Sequence, residues 1–340
     1  MSDTSRGILG YKGYLAQFAP ADPPALWVAA VAEEAGRRTF MFWDHHWYPA
    51  GGTPGFTEGW MWLAAAAART SRIRLGTLVY STPFRHPAVV AKSFATVDHI
   101  SGGRVLLGLG AGSGHDEIAA YGFEWPDAGE RYARLEESVR IIKELWSGET
   151  VSFDGEYYRT HDALVYPRPA QGPPVYIAAG GPAVAKRAGR VGDGFICTSL
   201  GGNDLLRESL EALRAGYEKA GRDGDFVRKR VLELKDSYDL AERAALALTA
   251  FWAPLGLTPA QKHLVLDPAP MPERADELVK EFVASRWIVG SSPEEIAALI
   301  EPHVDAGLFH LVFHAPGGDQ DRFLDLFGRD VEPLLRSPAA

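Results

Sequence analysis

The chain has 340 residues, 46% of them apolar and 23% charged, the balance of a globular protein with an ample core. A net charge of −9 argues against nucleic acid or an anionic membrane as the main partner, since both select a basic footprint. The lone cysteine, Cys197, excludes an internal disulfide and any cysteine-rich metal site. The first twenty residues hold no basic start followed by a long apolar run, so neither a signal peptide nor a membrane span is expected. The reading is a cytoplasmic enzyme.

In chain order, strands are predicted at residues 7–14, 39–43, 73–79, 105–109, 175–179, 194–198, 231–237 and 310–314. These runs are short, rich in Val, Ile, Leu or aromatics, and mostly not alternating, as strands buried on both faces are. Helical patterns lie between them, at 24–34, 87–100, 131–146, 182–190, 204–220 and 293–306, several opening with Pro or Asp. Eight strands alternating with helices predict an α/β fold, a (β/α)8 TIM barrel, as a single domain over residues 1–340. A doubly wound open sheet competes, but no Gly-x-Gly-x-x-Gly follows the first strand. Residues 151–159 carry Asp-Gly between aromatic runs and read as an inserted hairpin. A proline-rich excursion near 251–273 reads as a second insertion. Insertions at the C-terminal face of barrel strands normally build the active site.

Three segments at that face could carry chemistry. Asp44 and His45 follow the second strand, where a carboxylate can orient an imidazole as a general base. A satisfied loop histidine, or His45 and His46 on an adventitious metal, would explain the same letters, and no distant Cys/His cluster completes a zinc set. Glycines 108, 110, 112 and 114 let a backbone approach a ring or a phosphate, or simply end a strand. Gly180 and Gly181, followed by Pro182, make a helix N-terminus with free amides, favoured for phosphate. The crowded Trp43, Trp47, Trp60 and Trp62 are expected to pack under the rim, with Trp47 alone facing ligand. Cys197 reads as a small buried hydrophobe.

Several longer runs resemble one family over nearly the whole chain. They are PVYIAAGGPAVAK (174–186), DGFICTS (193–199), FWAPLGLTPAQKH (251–263), RWIV (286–289) and HLVFHAPGGDQDRFLDLF (310–327). The chain resembles the coenzyme F420-dependent glucose-6-phosphate dehydrogenase family, within the luciferase-like flavin and deazaflavin oxidoreductases. That resemblance implies a barrel, the deazaflavin F420 as cofactor, a sugar phosphate as substrate and a homodimer. It places Asp44 beside the ring and makes His45 the base that deprotonates the sugar hydroxyl. It assigns Val79, where relatives have a non-prolyl cis peptide, to the back of the ring. Ser81, Ala111 and Gly112 line the cofactor, and Asp116 takes a position that is Asn in the family. The amides of Gly180 and Gly181, with Ala183 and Val184, hold the cofactor phosphate. Thr198, Lys262 and Arg286 match residues that grip the sugar phosphate, and Trp47 is the counterpart proposed for the family's active-site tryptophan.

Three departures stand out, the first being a shorter loop after Asp44-His45, where Pro49 falls at the family's tryptophan position in a gapless count and Trp47 is the candidate instead. Ser113 occupies the place of a family glutamate, proposed as the acid that protonates the reduced ring. Serine does no carboxylic acid chemistry at neutral pH, so the proton comes from water, His115 or Glu117, or the step does not need it. A phosphate-binding lysine is also missing after Thr198, where the chain reads Ser199-Leu200-Gly201. The expected reaction is hydride transfer from C1 of a hexose 6-phosphate to oxidised F420, yielding a lactone. An F420-dependent alcohol dehydrogenase, a monooxygenase using flavin mononucleotide and a non-catalytic cofactor-binding relative are the alternatives.

Overall fold

A computed structural model describes residues 8–12, 39–42, 44, 58–112, 115–169, 172–198, 202–222, 231–233, 236–237, 288–289, 292–306, 310–313 and 325–335. Strands β1 (Ile8–Lys12), β2 (Thr39–Phe42), β3 (Arg74–Thr77), β4 (Tyr80–Ser81) and β5 (Val105–Gly110) open the sheet. Helices α1 (Gly59–Arg69), α2 (Pro87–Ser101), α3 (His115–Ala120) and α4 (Ala128–Trp146) accompany them. A hairpin, β6 (Val151–Asp154) with β7 (Arg159–Ala163), precedes β8 (Val175–Ala178), α5 (Pro182–Val191), β9 (Gly194–Thr198) and α6 (Gly202–Lys219). Then come β10 (Val231–Glu233), β11 (Asp236–Ser237), β12 (Ile288–Val289), α7 (Pro293–Asp305) and β13 (His310–Phe313).

The main sheet runs β3-β2-β1-β13-β10-β9-β8-β5, and β3 pairs with β5 to close the ring. Every pairing in it is parallel. Eight parallel strands joined in a ring are the predicted (β/α)8 barrel. Side chains alternate across the wall as closure requires. Met41, Leu106, Tyr176, Ile196 and Val312 form the inner cluster, while Phe40, Phe42, Leu107, Ile177 and Phe195 pack outward under the helices.

The helices begin and end where their caps dictate. Glu58 accepts the Met61 N–H at 2.9 Å to start α1, and an alanine-rich stretch propagates it. Pro87 opens α2, and Gly102, at φ 70°, closes it in the left-handed conformation glycine favours. Asp127 caps α4, which begins at Ala128, three residues ahead of the expected start. The sequence reading had not singled out α1 or α3.

Two strands differ from expectation. The seventh run divides into β10, in the barrel, and β11, which pairs with β12 outside it. The strand read as 73–79 ends at Thr77, and after the cis Leu78–Val79 peptide the chain resumes as β4, still paired with β5. The hairpin leaves the end of α4 and turns back along that helix. There the Glu137 carboxylate accepts the N–H groups of Glu156, Tyr157 and Tyr158 at 2.8 to 3.1 Å. The second expected insertion, 251–273, lies outside the described residues. Among the described residues no helix is long and apolar enough to cross a membrane.

Candidate active site

Parallel strands all end on one side of the barrel, so the residues that follow them meet there. Asp44 lies two residues past β2 and is 2% exposed. Its Oδ2 accepts the Ser81 N–H at 3.1 Å, and its two oxygens accept from Nη1 of Arg85 at 3.1 and 3.2 Å. Nη2 of Arg85 donates to Glu58, and the guanidinium lies 5.3 Å from the ring centres of both Trp60 and Tyr80. Burial pushes the Asp44 carboxyl above its ordinary range, and the Arg85 guanidinium is the main influence pulling it back. The Tyr80 phenol is raised by burial and then by the negative charge of Asp44.

Val79, partly buried, joins the inner cluster and faces β5. The structure corrects one reading of the glycine run. Gly108 and Gly110 lie inside β5, and a Cβ on Gly108 would come within 2.2 Å of the Thr77 carbonyl oxygen. These two glycines therefore admit the neighbouring strand and Val79, leaving no need for a ring or phosphate to explain them. Ala111 is buried at the strand end. Gly112 has φ 86°, and a Cβ there would sit 3.0 to 3.2 Å from Ile118, Pro83 and Trp125. The backbone of Asp116 is in the first turn of α3, beside buried Glu117 and exposed His115.

Across the barrel mouth, Gly180 and Gly181 follow β8. Among the described residues a Cβ on either would meet nothing within 4 Å, so protein packing does not account for these two glycines. Gly181 caps α5 without any side-chain hydrogen bond, Pro182 has no N–H, and the first-turn amides of Ala183 and Val184 lack intrahelical acceptors. This amide cradle at a helix N-terminus suits a phosphate, and with a buried carboxylate at the same barrel end it fits a phosphorylated deazaflavin. A cavity of about 340 Å³ is bordered by Thr82, Arg85, Ala111, Phe123, Arg134 and Tyr158.

Thus Asp44, Val79, Ser81, Ala111, Gly112, Gly180, Gly181, Ala183 and Val184 share one end of the barrel, and Thr198 ends β9 there. His45, Trp47, Ser113, Lys262 and Arg286 lie outside the described residues. Sequence reasoning missed Arg85 and Glu58. The available signal was a cation four residues beyond the end of β4, on the side of the barrel where Asp44 follows β2.

A profile of the family described as luciferase-like monooxygenase matches residues 20–310. The chain is 52% identical over 333 residues to a protein of Mycolicibacterium gilvum named F420-dependent glucose-6-phosphate dehydrogenase, covering 96% of this chain and 98% of that one. It is 50% identical over 336 residues to the Nocardia farcinica protein of the same name, covering 97% and 98%. Among solved structures it resembles an F420-dependent secondary alcohol dehydrogenase in complex with an F420-acetone adduct. There the TM-score is 0.85 at 27% identity, over 98% of this chain and 100% of that one.

Proposed function

The chain belongs to the luciferase-like monooxygenase family, and on that premise we propose that it is an F420-dependent hexose-6-phosphate dehydrogenase built on one barrel domain. The observation that supports it best is that the buried Asp44 carboxylate and the uncapped start of α5 at Gly181 lie at the same end of the barrel. Names borne by relatives at 50% identity and above supply the substrate class.

The amides of Gly180, Gly181, Ala183 and Val184 hold the cofactor phosphate, and Val79, Ser81, Ala111, Gly112 and Asp116 border its ring. Bound F420 supplies the hydride acceptor that lets C1 of the sugar reach the lactone level. His45 takes the proton of the anomeric hydroxyl as that carbon is oxidised. Asp44, held by Arg85 and the Ser81 amide, orients the imidazole and favours its charged form. Thr198, Lys262 and Arg286 grip the distant phosphate, so remote binding energy aligns the reacting end. Trp47 serves as the counterpart of the family's active-site tryptophan, and Ser113 takes the place of the family's glutamate. With one lysine fewer, the phosphate grip is looser and other hexose 6-phosphates enter.

The enzyme works in the cytoplasm, where phosphorylated sugars are retained. It does so as a homodimer, which would cover Met61, Val89 and Ile100, each more than 45% exposed on α1 and α2. Light scattering in solution tests the dimer. The deciding experiment mixes the protein anaerobically with oxidised F420 and a panel of sugar 6-phosphates, free sugars and secondary alcohols. Bleaching of the F420 chromophore by sugar phosphates is expected. Faster bleaching by any unphosphorylated alcohol would replace this substrate assignment.

A further inference from the structure

The Asp44 carboxylate does not stand alone at the barrel mouth. One Arg85 nitrogen reaches both of its oxygens, at 3.1 and 3.2 Å, while the other binds Glu58 at the cap of α1. The guanidinium lies against the contacting pair Trp60 and Tyr80, 5.3 Å from each ring centre, which limits its freedom to turn. A planar, permanently charged fork suits this place better than an ammonium would. Among the described residues, the charged and titratable groups facing Asp44 are Arg85, Glu58 and Tyr80, with the Ser81 amide as the remaining donor.

We propose that Arg85 is a positioning residue for the dehydrogenase reaction, fixing the angle of the Asp44 carboxylate and keeping it ionised, with Glu58 anchoring the guanidinium to α1. The proposal rests on the reading of Asp44 as the partner of the catalytic histidine. Asp44 is almost wholly buried, and burial favours its neutral acid. A neutral Asp44 could not stabilise a charged imidazole, so the cation beside it decides whether the base works. Glu58 matters for a different reason. It holds the second guanidinium nitrogen, so the first remains directed at Asp44.

The test compares wild type, Arg85→Lys, Arg85→Met, Glu58→Gln and Asp44→Asn. Arg85→Met should lower kcat about 10- to 100-fold with substrate KM changed by less than about threefold, because alignment and ionisation are lost and the phosphate grip is not. Its acid limb in kcat/KM should move to higher pH, and Arg85→Lys should bring that limb part of the way back. Glu58→Gln should fall between Arg85→Lys and wild type. A cofactor-free arm uses thermal unfolding from about pH 8 to about pH 5. The Tm gap between wild type and Arg85→Met should narrow toward acid, as Asp44 takes up its proton, and should be flat with pH in the Asp44→Asn background. An unmoved acid limb together with a pH-independent Tm gap would overturn the proposal and leave Arg85 as packing against Trp60 and Tyr80. If wild type fails to bleach F420 with sugar phosphates, the proposed function falls, while the cofactor-free arm still decides this inference.

Discussion

Val79 reaches Gly110 across the barrel wall: a Cβ placed on Gly110 would lie 2.7 Å from Cγ2 of Val79. The relation repeats two residues earlier, where a Cβ on Gly108 would lie 3.2 Å from Cγ1 of Val79 and 2.2 Å from the Thr77 oxygen. β5 therefore has glycine where its inner face meets the chain after β3. Gly108→Ala pushes against backbone and should cost about 1–3 kcal/mol of stability. Gly110→Ala pushes against a side chain, so it should cost less stability and should weaken F420 binding by displacing Val79. Urea unfolding and fluorescence titration separate the two effects. Equal stability losses with unchanged F420 affinity would contradict this account.

The glycines at 180 and 181 should behave in the opposite way. Gly181 has φ 170°, extended backbone that any residue adopts, and a Cβ there meets no atom of the described residues within 4 Å. Gly181→Val should leave the unfolding midpoint unchanged while weakening F420 about tenfold or more, because the new side chain occupies space that a phosphate needs. Loss of stability without loss of affinity would remove the phosphate assignment.

His45→Ala should remove most turnover, on the order of 10²–10⁴-fold, with F420 affinity close to wild type. The imidazole is asked to move a proton and not to hold the ring. Steady-state rates set beside a fluorescence titration give the answer, and a variant that keeps most of its rate transfers the base role to His46 or His115.

His310 predicts a pH dependence unrelated to catalysis. It is buried on β13 within 3.1 Å of the Thr39 hydroxyl, and burial, assisted by the Arg74 charge, lowers its pKa to about 3. The unfolded chain binds a proton below about pH 6.5 while the folded chain refuses it until about pH 3. Stability from this residue is therefore complete above that first value and declines as pH falls toward the second. His310→Gln keeps a polar partner for Thr39 and removes the titration. Between pH 7 and about pH 4 its Tm should fall less steeply than that of wild type. Parallel slopes would show that His310 accepts its proton in the folded state.

The barrel could be read from the chain alone because its signal is local. Runs such as 105–109 and 194–198 are apolar on both faces, and only strands wrapped by helices outside and side chains inside bury both. The helix start at Pro182 was equally legible, since Gly-Gly-Pro after a strand specifies an uncapped helix N-terminus whatever surrounds it. What the letters could not assign was partnership between distant positions. Gly108 and Gly110 looked like ligand glycines, and only the approach of Thr77 and Val79 made them strand contacts. Asp44 pointed to a histidine beside it in sequence, but its described cation, Arg85, is 41 residues away. Its charge balance therefore depends on the pairing of β2 with β3, which brings the end of β2 beside the chain that runs on into β4 and the turn after it. Periodicity and caps are properties of neighbours along the chain. The protonation of a buried carboxylate is a property of whatever the fold packs against it, and the tertiary structure alone decides that.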